Sequence, residues 1–534
     1  MTATKVRLLR PRGWQLRERI AAGGDRAEIP ASHIRLLVGI VILAAALRFA
    51  TLGTRSFWID EAVVVNLVGL GLVDMLDALL SGTEASPPLY YTLAWAWTSV
   101  LGTGEEGLRS LSAVLGTATV PVAYLAGREL LSSRAGLLAA LVFALNPMLI
   151  WHGQDGRSYT LAVLLSALSF LFFLRCLREP RGRTLALWAV FSALGLLTHY
   201  FVGFMIAVEA VWLLIALGPR RALLAALGAV AAVELAALSI ALEQRANVDL
   251  AWRSTDGISA TEQYGSLASR LAQAPAQVLV GEQPPLQVLT AFVAAILVIP
   301  ALVVLIRKAG ERERSAALVA AAVGVPAVAA MVLAALAGVD YFNARNTLPV
   351  LLPLVLVFAC AFAAPASRAA VGSLALLVAL WLAIHVTTAD VPKFEREDWR
   401  GSAHALGTAD VDRAVVVTPQ AGRGPLRTYL PGTSRLPRSG ARVREIDLVG
   451  LPPLFREIGE TPKPPRPDVL PDLPPQFRLV ERREERYYTL LRFRSRVPVF
   501  VGRAPLAASG LGDGSSEVLL QRAQRPGGTP VVSQ

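Results

Sequence analysis

Apolar runs of roughly 17–25 residues recur along the first three quarters of this chain, and a run of that length crosses the hydrocarbon layer of a bilayer as one helix. No other feature constrains the fold as strongly. In lipid no water is present to satisfy backbone N–H and C=O groups, so a spanning segment must close its hydrogen bonds within a helix or a barrel. Runs at 34–52, 108–128, 134–150, 158–177, 184–201, 202–219, 222–242, 286–306, 315–338, 347–365 and 370–388 predict about eleven transmembrane helices. Composition agrees with this reading, since 54% of the 534 residues are hydrophobic and only 17% are charged. The predicted class is an all-α polytopic membrane protein.

A further stretch, 87–101 (PPLYYTLAWAWTSVL), is short and rich in Trp and Tyr, which favour the membrane interface. Whether it crosses decides the side of every later loop. If it does not cross, the loops holding Arg128 and Arg134, Arg175 to Arg183, Arg220 and Arg221, Arg307 to Arg314, and Arg368 share the cytoplasm with the basic N-terminus. If it does, all of them violate the positive-inside bias. The first topology is therefore expected, with 87–101 interfacial or re-entrant. Residues 1–33 form a basic cytoplasmic segment, 34–388 the transmembrane domain, 389–504 an extracytoplasmic soluble domain of small α/β type, and 505–534 a Gly-, Ser- and Pro-rich tail expected to be disordered.

The formal charge of +12 invites a nucleic-acid reading, but the arginines lie in short loops between apolar runs rather than along one face or arm. That is topology, and nucleic acid is excluded as a partner. Cys176 and Cys360 both lie in or beside apolar runs, far apart in sequence, so neither a disulfide framework nor a zinc motif is available.

The expected outer loops hold most of the His, Asp, Glu and Tyr residues that cluster at span ends, so chemistry is expected on the outer face. In the first of these loops, Asp60 and Glu61 precede an apolar stretch, Val63 to Leu80, interrupted by Asp74 and Asp77 at helical spacing. This predicts an amphipathic helix on the membrane surface whose N-terminal dipole favours the ionised carboxylates. Asp60 could be a helix cap, but a cap requires one carboxylate and here there are two. Further along, His152, Asp155, Arg157 and Tyr159 share one short outer turn, His199 and Tyr200 another, and Arg345 sits just before a span. Arg109 opens a span on the side that the charge bias disfavours; it reads either as a functional cation or as the partner of Glu105 or Glu106. The long loop 243–285 reads as a lid or as a plain connection.

FWIDEA after the first span, SPPLYY about twenty-five residues later, GLRSLSAVLG opening the next span, HGQDGRSYTL and ARNTLPVLLP together, in that order, resemble the GT-C glycosyltransferases. The likeness is to the bacterial branch related to protein O-mannosyltransferases and to the aminoarabinose and galacturonic-acid transferases of lipid A, and it covers residues 34–365. The chain departs from the family turn at Asp155-Gly156-Arg157. The resemblance implies a multi-spanning fold, an acidic pair in the first outer loop, and a polyprenyl-phosphate sugar donor reached from the membrane. No P-loop occurs, and the one GxGxxG spelling, GTGEEG at 102–107, follows an apolar Trp- and Tyr-rich stretch rather than a strand, which agrees with a lipid-linked rather than a nucleotide donor.

Such a transfer requires a base near the acceptor hydroxyl and cationic or hydrogen-bonding groups on the departing phosphate. Asp60 is the expected base and Glu61 its helper or an acceptor-orienting group. Arg345 is the expected phosphate ligand, with Arg109, His152, Asp155, Arg157, Tyr159, His199 and Tyr90 around the substrate. The competing reading for Arg345 is an interfacial anchor paired with Asp340. No obligatory metal is expected: a divalent cation between His152, Asp155 and Asp60 would lack a second His in helical reach. The acceptor would be a cell-envelope glycan, a lipid or a protein hydroxyl. Two other classes compete, a flippase for a lipid-linked saccharide and a scaffold whose tail binds cell-wall components. A transporter would show mid-span charges and internal repeats. Only Glu209 and Glu234 are carboxylates well inside predicted spans, and no repeat is evident.

Overall fold

A computed structural model describes residues 28–253, 265–282, 284–363, 368–390, 397–452, 463–512 and 514–523. The chain divides into two compact units, Met1–Leu52 with Leu72–Asp390 and Gly53–Gly71 with Val391–Gln534. Along the chain the helices are α1 (Ala31–Phe49), α2 (Ile59–Val68), α3 (Leu72–Ala78), α4 (Leu89–Leu101), α5 (Glu105–Leu130), α6 (Ser133–Leu145), α7 (Pro147–Gly153), α8 (Tyr159–Arg178), α9 (Gly182–Leu196), α10 (Val202–Leu217), α11 (Arg221–Arg253), α12 (Leu267–Val280), α13 (Gln287–Arg307), α14 (Glu311–Leu336), α15 (Leu351–Ala363) and α16 (Arg368–Asp390). A 3-10 turn, Ala344–Val350, leads into α15.

Every expected span has its helix. Among the described residues eight helical stretches are long and apolar enough to cross a membrane, and a ninth is the pair α6 and α7, bent by 57°. The remaining two, α9 and α10, are apolar but only 15 and 16 residues long. The bend has a local cause. Pro147 opens α7 without an N–H to donate, while the Asn146 side chain accepts from the Leu149 N–H at 3.1 Å and starts a new helix. Helices α5 and α6 approach until a Cβ on Gly127 would lie 2.8 Å from the Cα of Gly136, a contact that two glycines permit. Large apolar side chains such as Leu235, Leu242, Phe292, Ile299 and Leu333 lie exposed along the spans, as lipid-facing residues must.

At 13 residues, α4 is about 20 Å long and too short to span on its own, which matches the reading of 87–101 as interfacial or re-entrant. The expected continuous surface helix from Val63 to Leu80 is corrected. It breaks at Gly69-Leu70-Gly71 into α2 and α3, followed by a π-type segment Leu79–Thr83, and the unit boundary falls at that break. Two glycines lower helix propensity at one point enough to end the element.

The second unit contains a six-stranded mixed sheet of order β2-β6-β1-β3-β5-β4, with β1 (Arg413–Thr418), β2 (Thr433–Arg435), β3 (Ala441–Gly450), β4 (Arg478–Glu484), β5 (Thr489–Val501) and β6 (Glu517–Gln521). Helices α17 (Trp399–Leu406), α18 (Arg423–Tyr429) and α19 (Arg503–Ala508) complete it. In β1, Ala414 and Val416 enter one apolar core and Val415 and Val417 the other, so the strand is covered on both faces. Beneath it the Arg413 guanidinium lies 3.5 Å from Glu445 and 3.2 Å from Asp447 and donates to the Leu406 carbonyl, so a buried cation is paired and hydrogen-bonded.

Two expected boundaries move. The soluble unit takes in Gly53–Gly71, which run-length had left in the transmembrane domain. Residues 505–523 are not a disordered tail. Glu517–Gln521 form β6, inserted between β2 and β1, where its alternating apolar residues fill both cores. Val518, Leu519 and Leu520 bury into both cores, and such packing rather than intrinsic strand preference completes the sheet even where Gly and Ser flank it. Residues 524–534 and the loop piece 254–264 lie outside the described residues.

Candidate active site

In the membrane unit, five stretches distant in sequence bring polar groups together. After α7 the chain turns through Gln154 to Ser158 before α8 begins at Tyr159. The Gln154 amide fastens this turn by donating to the Leu47 carbonyl at 2.9 Å and to the Thr51 hydroxyl at 2.8 Å. His152, buried at the end of α7, has its ring edge-on to Tyr159, with centroids 4.7 Å apart. Tyr159 in turn contacts His199 at 5.7 Å. Two carboxylates flank His152: Asp155 lies 3.6 Å from Nδ1 and Glu282 lies 3.3 Å from Nε2. Asp155 itself is fully buried.

Arg157 forms a two-pronged ion pair with Glu84, at 2.9 and 3.3 Å, and approaches the Tyr91 hydroxyl at 3.4 Å. Tyr90, beside it on α4, packs edge-on against Tyr91. His199 lies in the turn between α9 and α10, and its imidazole is pushed down to about 3, first by burial and then by the charges of Arg157 and Arg345. It is therefore a neutral ring at any working pH. Its Nδ1 accepts from the Phe201 N–H at 3.3 Å.

Arg345 sits in the 3-10 turn that Asn343 caps, its side chain accepting from the Asn346 N–H at 3.0 Å. The alternative that tied Arg345 to Asp340 is replaced, because the partner of Asp340 is Arg270 on α12. The Arg270 guanidinium grips both carboxylate oxygens, at 2.9 and 2.5 Å, and also donates to the Phe342 carbonyl. These donors hold the Asp340 carboxyl below the usual carboxylate range. Arg109, also buried, donates to the Leu52 carbonyl at 2.7 Å and so ties α5 to the end of the first span. Ser112, one turn further along α5, reaches the Arg157 carbonyl at 3.5 Å.

In the soluble unit, Asp60 and Glu61 occupy the second and third positions of α2. The capping role considered for Asp60 belongs to Glu61. The Glu61 carboxylate, fully buried, accepts from the Trp58 N–H at 3.3 Å, one half of a capping box. Asp60 is half-buried in the first turn. The two carboxylates thus differ in environment, one spent on holding the helix start and the other not needed for it.

Glu84, Arg270 and Glu282 escape a sequence reading, since none lies in a motif, while Tyr91 stands in SPPLYY beside Tyr90, the residue singled out there. The one available signal was their loop position on the expected outer face. Glu209, noted as a mid-span carboxylate, accepts from Ser169 at 2.6 Å and from Trp188 at 2.8 Å, so hydrogen bonds satisfy it within the bundle. Among the described residues no group of three or more His, Cys, Asp or Glu side chains could hold a metal ion.

Residues 85–242 match the family described as dolichyl-phosphate-mannose-protein mannosyltransferase. No curated protein matches the sequence. Among solved structures, ArnT from Cupriavidus metallidurans bound to undecaprenyl phosphate is 14% identical, with 71% of this chain and 69% of that one covered and a TM-score of 0.46. The archaeal oligosaccharyltransferase AglB from Archaeoglobus fulgidus, in complex with an inhibitory peptide and a dolichol-phosphate, is 12% identical, with 75% of this chain and 59% of that one covered and a TM-score of 0.42. The matched stretch 85–242 contains the Arg109, His152–Tyr159 and His199 positions, and over it the chain is similar to the protein mannosyltransferases.

Proposed function

We propose that the protein is an inverting glycosyltransferase that moves a sugar from a polyprenyl-phosphate donor to a hydroxyl of an envelope glycan, lipid or protein. The reading rests above all on one observation: within the bundle the His152, Tyr159 and His199 rings pack in one row drawn from two separate stretches of chain, and the buried Arg157 lies in the same turn as His152 and Tyr159. Such groups are costly in a membrane protein and mark functional sites. The matched family, dolichyl-phosphate-mannose-protein mannosyltransferase, adds support for a lipid-linked donor.

In this mechanism Asp60 accepts the proton of the acceptor hydroxyl as its oxygen attacks the anomeric carbon. The bond from that carbon to the phosphate oxygen breaks, and polyprenyl phosphate leaves with the electron pair. Arg345 stabilises the charge that grows on the leaving phosphate, which a permanently charged fork does well. Glu61 holds the helix start that carries the base. The neutral His199 and Tyr159 line the sugar rather than pair with phosphate. No obligatory metal takes part, and the reaction runs on the outer face of the cell membrane, with the N-terminus in the cytoplasm. A flippase would need mobile mid-span charges, whereas Glu209 is locked by Ser169 and Trp188.

The test is transfer of labelled sugar by the purified protein from a synthetic polyprenyl-phosphate donor, with and without a chelator. Transfer is expected in both arms. Lipid movement without any new glycosidic bond would move the flippase reading ahead, and loss of transfer under chelation would restore a metal.

A further inference from the structure

We infer that the soluble unit holds the acidic pair in position, because it is the body to which that pair is fastened, with Arg400 and Tyr429 as positioning residues for Asp60. The inference rests on the assignment of Asp60 as base. Four attachments fall within the few residues before that aspartate, and all reach groups far along the chain. The Arg400 guanidinium donates to the Gly53 carbonyl at 3.0 Å and to the Thr54 carbonyl at 2.9 Å. The Ser56 hydroxyl donates to the Glu397 carbonyl at 2.7 Å. The Phe57 N–H donates to the Tyr429 hydroxyl at 2.6 Å, and the Phe57 ring stacks on the Tyr429 ring with centroids 6.1 Å apart. Helix α2 then packs on α18, where a Cβ on Gly424 would stand in ordinary contact, 4.0 Å, with the Ala62 methyl.

The anchors are themselves rigid. Arg400 sits in the first turn of α17, which starts where Asp398 accepts from the Gly401 N–H at 2.8 Å. The neighbouring Trp399 is fully buried with Ala403 and Leu406. Tyr429 ends α18, between Leu426 and Leu430 of the same core. Loosening these attachments would let a base wander, and a misplacement of about 1 Å costs on the order of 100-fold in rate. Side chains whose own positions are packed are what hold a base in register.

The experiment uses the full-length protein with Arg400→Ala, Arg400→Lys and Tyr429→Phe. Backbone amide exchange at residues 54–61 is followed beside exchange at β1, and donor KM beside kcat. Faster exchange at 54–61 is expected with β1 still protected, together with a fall in kcat of roughly 10- to 100-fold and little change in donor KM. Arg400→Lys should recover only part, since an ammonium cannot hold two carbonyls in the same fork. In an Asp60→Asn background the tail variants should cost nothing further, because they act through Asp60. Unchanged exchange at 54–61, or losses that multiply with Asp60→Asn, would overturn the inference. Near-normal turnover in Asp60→Asn alone would remove the base assignment instead, and the exchange measurement would still decide whether the tail holds this segment.

Discussion

At the residue scale the acidic pair separates into two roles. Asn at position 60 keeps the size of Asp and leaves the Glu61 cap intact, so a structural role would survive Asp60→Asn almost unchanged. A general base would not, and the expected loss in kcat is about 100- to 10,000-fold with donor binding retained. Gln at position 61 still accepts from the Trp58 N–H, so Glu61→Gln should be mild. Steady-state transfer by the two purified variants distinguishes these outcomes, and a pair of near-normal rates would reduce Asp60-Glu61 to a helix start. Arg345→Ala should raise the barrier by about 2–4 kcal/mol, read as kcat/KM at limiting donor, with only partial recovery in Arg345→Lys. Unaltered donor use would withdraw Arg345 from the phosphate.

At the element scale the segment carrying Arg345 is ordered by a helix that sequence reading offered only as a lid or a connection. Helix α12 contributes Arg270, which grips Asp340 and the Phe342 carbonyl from one side while Asn343 caps the turn from the other. Removing one partner of such a charge-assisted cluster costs about 1.5–3 kcal/mol locally. Arg270→Ala should therefore speed amide exchange across 338–346, and unchanged exchange there would show that the clamp contributes nothing. The pH dependence has a definite sign. The Asp340 carboxyl is depressed by Arg270, so its stabilisation is fully present above the ordinary Asp value of about 3.9 and is lost as pH falls through the lower folded value. At pH 5 the segment stays ordered; loosening in the range 5 to 7 would contradict the sign.

At the scale of the whole molecule, loop charge and the two-unit division make one testable topology. Gly182 opens α9 after an arginine-rich loop, where a Cβ meets nothing within 4 Å, and Ser439 is an exposed turn residue of the soluble unit. Both native cysteines are buried. An impermeant thiol reagent applied to cells stripped of any outer barrier should label Ser439→Cys and spare Gly182→Cys. The reverse pattern would invert the molecule in the membrane and with it the face on which transfer runs.

The sequence by itself determined the helical membrane class and the placement of all eleven apolar segments. Those are local signals, set by run length and by side-chain period, and they need no knowledge of a distant partner. The ordered motifs likewise located Asp60, Arg109, the His152–Tyr159 turn, His199 and Arg345 before any distance was known. Only the tertiary structure decided that Asp340 belongs to Arg270 rather than to Arg345, and that Glu61 rather than Asp60 starts α2. The same holds for β6, which completes the sheet from a stretch that composition assigns to disorder, and for Gly53–Gly71, which joins the soluble unit. Each of these is a choice among partners of equivalent chemistry, and what selects one is separation in space, which spacing along the chain does not encode.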